Sequence, residues 1–476
     1  MNLQIIVLAI FISLGNYKAT ESASPISTKP VANQSPPLVE VLISELIGKM
    51  NLPGLSLAVS KNNQVIYAKG FGYSDVENKI RMTTETRIRT ASVAKVITAT
   101  GLGRLVSEGK LDLDAPIKNY IPYISTTYAN LTTRQLAGHT AGVIHRKKGM
   151  GYTKKQYTEV QDMVNIAKDE PLLFEPNTDY HYSTYAFSLL AAVIEGASGH
   201  RYTNYLAGEI FGPLSMNQTS PENLKQLTDS DARCYFFQKG KRKLKKQPTN
   251  GSYKLAGAAF RSTPTDLVKM MHGYSNGLIA SETVKEMFTS HQLKNGEKTN
   301  VGIAWRSSFD PFGNAPVDHA GFWMGARTVV VHYPEQQLSI SIMTNAQVPF
   351  FIEETAHIIA QLFMEKETNP SVINDFNQTV KVTTHFNENT KNLTGQLKIE
   401  GQKGQLEVAT DGFLATNKIH YLGFGNHYAM VTSLGLLYLQ LDNQPNLEGK
   451  IFLYENRNKQ NPVKGRAAVS VQPITK

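Results

Sequence analysis

The chain has 476 residues, 41% of them hydrophobic, enough to bury a large core and to form two domains. Its formal charge of +10 is carried in part by one run, KGKRKLKK at Lys239 to Lys246, which reads as a solvated loop, and no nucleic-acid-binding module accompanies it. The single cysteine, Cys234, excludes an intramolecular disulfide. With no histidine or asparagine motif beside it, that thiol reads as a small buried hydrophobe rather than a nucleophile.

The first residues place an apolar run, Leu3 to Leu14, ahead of small residues around Ala19 and Ala23. The run is too short to span a bilayer and predicts a signal peptide over 1–24, hence export to a periplasmic or extracellular compartment. Residues 25–37 predict a linker. Leu38 to Met50 has helical periodicity with Pro37 at its first position, and Pro53 to Asp75 alternates like two strands joined through Lys61 to Gln64.

Arg89 to Gly109, RTASVAKVITATGLGRLVSEG, predicts a helix that is apolar or small almost all round, and such a helix belongs inside a domain. Ser92 at its start and Lys95 three residues on project from the same face. A serine hydroxyl becomes a good nucleophile when a base takes its proton, and a lysine in an apolar helix loses affinity for its own proton. The helix start also offers unpaired N–H groups to an oxyanion. Ser107 and Lys110 repeat the spacing, but Gly109 breaks the helix between them.

Beyond Gly109, Thr132 or Thr133 caps a short helix ending near Gly138, and His139 after it reads as a structural hydrogen-bonding group. A helix is predicted from Lys155 to Asp169. Tyr182, Ser183 and Thr184 then stand at a loop-to-helix junction, where a phenol beside a lysine would gain phenolate character and serve as a base. A helix capped near Thr263 follows. Arg327 to His332 and Leu338 to Met343 predict two strands, with His319, Ala320 and Gly321 just before the first. A helix from Ile352 to Glu367 closes the first domain. From about Asn369, six short alternating segments predict a separate small antiparallel sheet or barrel with no clustered catalytic candidate.

Ser92 to Lys95, Tyr182 to Thr184, and His319 to Gly321 occur in the order and spacing of the three elements that define penicillin-recognising serine hydrolases. From Leu38 to Glu367 the chain resembles the β-lactamase-related family: class C β-lactamases, DD-peptidases and serine esterases of that fold. The resemblance implies an α/β (α+β) architecture, an antiparallel sheet flanked by helices plus a helical subdomain over 38–368, with the C-terminal β domain over 369–476. It implies Ser92 as the acylated serine, Lys95 as its partner and Tyr182 as the second-motif tyrosine. Thr184, His319 and Gly321 would face the substrate, with the backbone N–H groups of Ser92 and Phe322 as the oxyanion hole. No metal or cofactor is implied. Two departures bear on substrate. Thr184 replaces an asparagine that positions the substrate amide, and His319 replaces a lysine with an imidazole only partly charged at neutral pH.

The expected function is an exported serine hydrolase acting through an acyl-enzyme on small-molecule esters, or on small peptides and amides, including those with D-residues. A catalytically degenerate member, used for binding or assembly, is the alternative. Lys239 to Lys246 would associate weakly with an anionic envelope surface.

Overall fold

The computed structural model describes residues 35–149, 155–307, 309–310 and 312–365, then 376–386, 389–400, 402–408, 416–425, 427–441, 449–454 and 466–473. The expected signal peptide, the expected linker through residue 34, and the expected boundary near 369 lie outside them. Helix α1 (Ser35–Met50) starts before Leu38. Pro36 and Pro37 fit its first turn, where a backbone N–H has no intrahelical partner to lose.

Strands β1 (Gly54–Lys61) and β2 (Gln64–Asp75) form the expected hairpin. Asn62 and Asn63 turn it, both at positive φ (51° and 61°), the conformation that a two-residue hairpin loop favours. With β3 (Ile80–Arg81), β4 (Arg306–Ser307), β5 (Val317–Trp323), β6 (Ala326–Tyr333) and β7 (Leu338–Thr344) they make a seven-stranded antiparallel sheet in the order β3-β2-β1-β7-β6-β5-β4. The central strands β1, β6 and β7 are buried along nearly their whole length, so both faces of the sheet are covered. One face packs on α1 and the Ile352–Gln361 helix; the Pro264–His272 helix, capped by Thr263, packs on β1 and β7.

Helix α2 (Ala94–Ser107), preceded by a 3₁₀ turn at Ala91–Val93, is the centre of a second, mainly helical core that includes the Ala186–Ser198 helix. Thr132 caps the Thr133–Ala137 helix in a reciprocal pair with Gln135. The helix predicted over Lys155 to Asp169 shrinks to Val160–Asn165. Upstream of it, side chains from elsewhere hold the backbone: Tyr157 N–H donates to Ser252 Oγ at 2.9 Å and Asn250 Nδ2 donates to Lys155 O at 2.8 Å. The basic run is a hairpin rather than a loop. Lys241–Leu244 pairs with Tyr235–Gln238, which adds in parallel to Ala346–Gln347.

The C-terminal strands close into an eight-stranded antiparallel barrel. Thr416–Tyr421 and Arg466–Pro473 join the six expected strands, and the last pairs with the first, Phe376–Phe386. One side of the barrel is continuous with the first core: Leu422, Ala429, Val431, Leu436 and Tyr438 cluster with Val39, Leu42 and Ile359.

Candidate active site

The chain reaches Ser92 through a constrained turn. Ala91 is fully buried at φ 46°, a left-handed conformation that costs an alanine energy and persists only where the surroundings impose it. Thr90 supplies that restraint. Its N–H donates to Phe260 O at 2.9 Å, and its carbonyl accepts from Thr328 Oγ1 at 2.7 Å.

Lys95 is 0% exposed, and its Nζ stands 3.5 Å from Ser92 Oγ. It donates to Gly257 O at 2.9 Å and to Thr184 Oγ1 at 3.2 Å. Burial pushes its pKa well below the usual lysine range, and no carboxylate offsets the loss. A neutral amine has two N–H bonds. Gly257 and Thr184 take both, which leaves the lone pair for the Ser92 hydroxyl.

Tyr182 hydrogen-bonds Ser92 through its phenol, but the expectation of phenolate character is overturned. The Lys95 amine lies over the ring face, 4.7 Å from its centroid, and burial raises the phenol to about 12. Thr184, expected at the substrate, is 8% exposed and is turned onto the Lys95 amine.

His319 and Gly321 lie just before β6, as expected, but in a further strand, β5, that pairs with it. The His319 ring is 6.4 Å from that of Tyr182, and its Nδ1–H donates to Ala320 O at 2.9 Å. Burial, then the cation Arg306, push its pKa well below the usual histidine value, so the expected partial charge at neutral pH is also corrected. Gly321 is where β5 meets the Ser92 turn. A Cβ there would stand 2.4 Å from Thr328 Oγ1, 2.6 Å from Thr90 O and 2.8 Å from Ser92 N. Strand β4 pairs with β5 only at Val317 and Asp318, so from His319 onward the outer edge of β5 has no strand partner among the described residues. Phe322 is on this stretch, its side chain 51% exposed.

Other candidates are structural. His139, buried at φ 63°, accepts from Ser183 N–H at 3.2 Å, and its ring packs 4.5 Å from that of Tyr182. Cys234 is buried. Ser107 donates to Gly103 O and accepts from Ala280 N–H, while Lys110 pairs with Glu108 at 2.9 Å. Sequence reasoning missed Arg306, held by Asp318 at 2.7 Å and Glu353 at 3.4 Å, whose charge reaches Tyr182 and His319. It also missed Gly257, which lies in the run of small residues Ala256 to Ala259 ahead of Thr263 and carries no side chain to mark it.

A serine beside a buried, carboxylate-free lysine, set against an open strand edge, defines a serine hydrolase site. Residues 39–363 match the family model described as Beta-lactamase, and the chain belongs to that family. It is 26% identical to the serine beta-lactamase-like protein LACTB, mitochondrial, of Mus musculus, over 65% of this chain and 74% of that protein. It is 21% identical to protein flp of Staphylococcus aureus (strain NCTC 8325 / PS 47), over 74% of this chain and 72% of that one. Among solved structures, the octameric penicillin-binding protein homologue from Pyrococcus abyssi superposes with a TM-score of 0.56 at 20% identity, over 91% of this chain and 99% of that one. The D-amino acid amidase from Ochrobactrum anthropi SV3 gives 0.54 at 22% identity, over 65% and 91%. These likenesses concern the fold.

Proposed function

We propose that the protein hydrolyses small esters and amides, including short peptides, through an acyl-enzyme on Ser92. The observation that carries this reading is the Lys95 amine, buried without a carboxylate, both N–H groups engaged and 3.5 Å from Ser92 Oγ. Ser92 Oγ attacks the carbonyl carbon as its proton passes to Lys95. The oxyanion is held by the N–H groups of Ser92 and Phe322. The leaving group departs with the proton, relayed through the Tyr182 phenol, and water then releases the acyl group. Amidase and penicillin-binding-protein relatives of the fold make D-residue amides reasonable substrates to assay. The chain is proposed to work after export, with Lys239 to Lys246 as a weak contact to an anionic surface. A neutral His319 offers no charge to the carboxylate of a β-lactam, so kcat/KM for p-nitrophenyl butyrate is expected to exceed that for nitrocefin.

Fluorophosphonate labelling and p-nitrophenyl butyrate turnover test the reading together. Both should vanish in Ser92→Ala and survive in Ser107→Ala; labelling that persists in Ser92→Ala would put the nucleophile elsewhere.

A further inference from the structure

Thr184 faces two ways. Besides accepting from Lys95, it lines a narrow cavity with His145, Arg146, Ser188, Tyr253 and Lys254. The cavity therefore starts one side chain away from the Lys95 amine and Ser92. Its far wall returns to the same site: Lys254 Nζ lies 3.9 Å from the centroid of Trp323, the residue after Phe322 on β5.

This lining is cationic and contains no carboxylate. Lys147, also in the lining, is paired with Glu170 at 3.1 Å, whereas Arg146 and Lys254 form no ion pair among the described residues. The buried Ser188 hydroxyl has no hydrogen-bond partner among them either, an arrangement that costs energy until an acceptor arrives. Burial first, then the cations Arg89 and Arg146, against an opposing pull from Glu222, hold the Lys254 ammonium down to about 7, a strain that an anion beside it would relieve. His145, pushed down to about 4 mainly by burial, adds a neutral wall. Elsewhere in the site the cation Arg306 is already neutralised by Asp318 and Glu353.

We propose that this cavity is a subsite for a carboxylate on the acyl side of the substrate, bound by Lys254 and Arg146 with the Ser188 hydroxyl donating. The acyl side is assigned because the acyl group is the part of the substrate that stays bonded to Ser92 Oγ, and the cavity begins behind Thr184, one side chain from the Lys95 amine beside that atom. The inference rests on the hydrolase reading and deepens it: the preferred substrates carry an anionic acyl group.

The test compares p-nitrophenyl pentanoate with mono-p-nitrophenyl adipate, which share the leaving group and differ by a terminal carboxylate, on the full chain at pH 6.5. Wild type should favour the adipate in kcat/KM by about tenfold, the scale of one charge-assisted hydrogen bond. The ratio should fall towards one in Lys254→Met and recover in Lys254→Arg. Both esters are read on one preparation, so the ratio is independent of the folded fraction. Brisk turnover with no preference, or a preference that survives Lys254→Met, overturns the subsite and leaves the hydrolase standing. Turnover of neither ester sinks both.

Discussion

At the scale of single residues, the site divides its proton chemistry between two groups whose environments push them apart. Burial disfavours charge, so it lowers Lys95 and raises Tyr182, each toward its uncharged form. An uncharged amine can take a proton from serine, while an uncharged phenol can only pass one along. The expected pH profile follows from that. The active form of Lys95 is deprotonated, so kcat/KM on p-nitrophenyl butyrate should reach its plateau at a pH well below the ordinary lysine range and fall below that as acid protonates the amine. Tyr182→Phe should lower the plateau by about 10²-fold or more, as loss of a proton-transfer group does, and leave the acid limb in place. If the limb moves or disappears in Tyr182→Phe, the phenol is the base and Lys95 its support.

At the scale of elements, the question is what holds the strand Ile88–Arg89, the Ser92 turn and β5 in register. A buried ion pair does much of it. Arg89, 1% exposed, donates to Glu222 at 2.5 and 2.6 Å, to Thr249 O at 2.7 Å and to Met324 O at 3.0 Å in the turn between β5 and β6. Its guanidinium also lies 4.3 Å from the Trp323 ring centroid. Removing one partner of a buried pair strands the other charge, so Glu222→Gln should cost about 3–5 kcal/mol. Lys61→Met, across from the exposed Glu365, should leave the melting temperature unchanged. Equal effects in thermal melts would mean that Arg89 is not the tie between these elements. None of this was legible along the chain, because Glu222 is 133 residues from Arg89 and carries no local signature. What was legible had a short period. The three-residue spacing of Ser92 and Lys95 fixes a shared face, and the alternation of Pro53 to Asp75 fixes a hairpin. The protonation states of Tyr182 and His319 were misread because they depend on burial, and burial follows from β5 crossing the Ser92 turn, a contact between residues more than 200 positions apart. Thr416–Tyr421 and Arg466–Pro473 were missed for a related reason: each is a weak alternation, and ring closure with Phe376–Phe386 supplies its pairing.

At the scale of the whole molecule, a β domain read from sequence as separate sits on the hydrolase through shared core rather than through a linker alone. Leu422, Ala429, Val431, Leu436 and Tyr438 cover α1 and the Ile352–Gln361 helix, on the face of the sheet opposite α2 and the site. Backbone ties join the same surfaces: Phe351 N–H donates to Leu434 O at 2.6 Å and Leu436 N–H to Thr355 Oγ1 at 3.0 Å. Glu45 on α1 accepts from Lys418 at 2.9 Å and lies 2.8 Å from His420 Nε2. The core around α2 uses none of these barrel residues, so a chain ending at Glu365 should still fold and keep Ser92 reactive. It should do so at a cost. Uncovering an apolar face of that kind removes on the order of 5 kcal/mol at roughly 25 cal/mol per Å² of newly wetted surface. The shortened chain should therefore melt earlier than the full one, bind a hydrophobic dye, and still take a fluorophosphonate label at Ser92. An unchanged melting temperature would show that the shared core contributes nothing. Loss of any cooperative transition together with loss of labelling would show that barrel and hydrolase fold only as one unit.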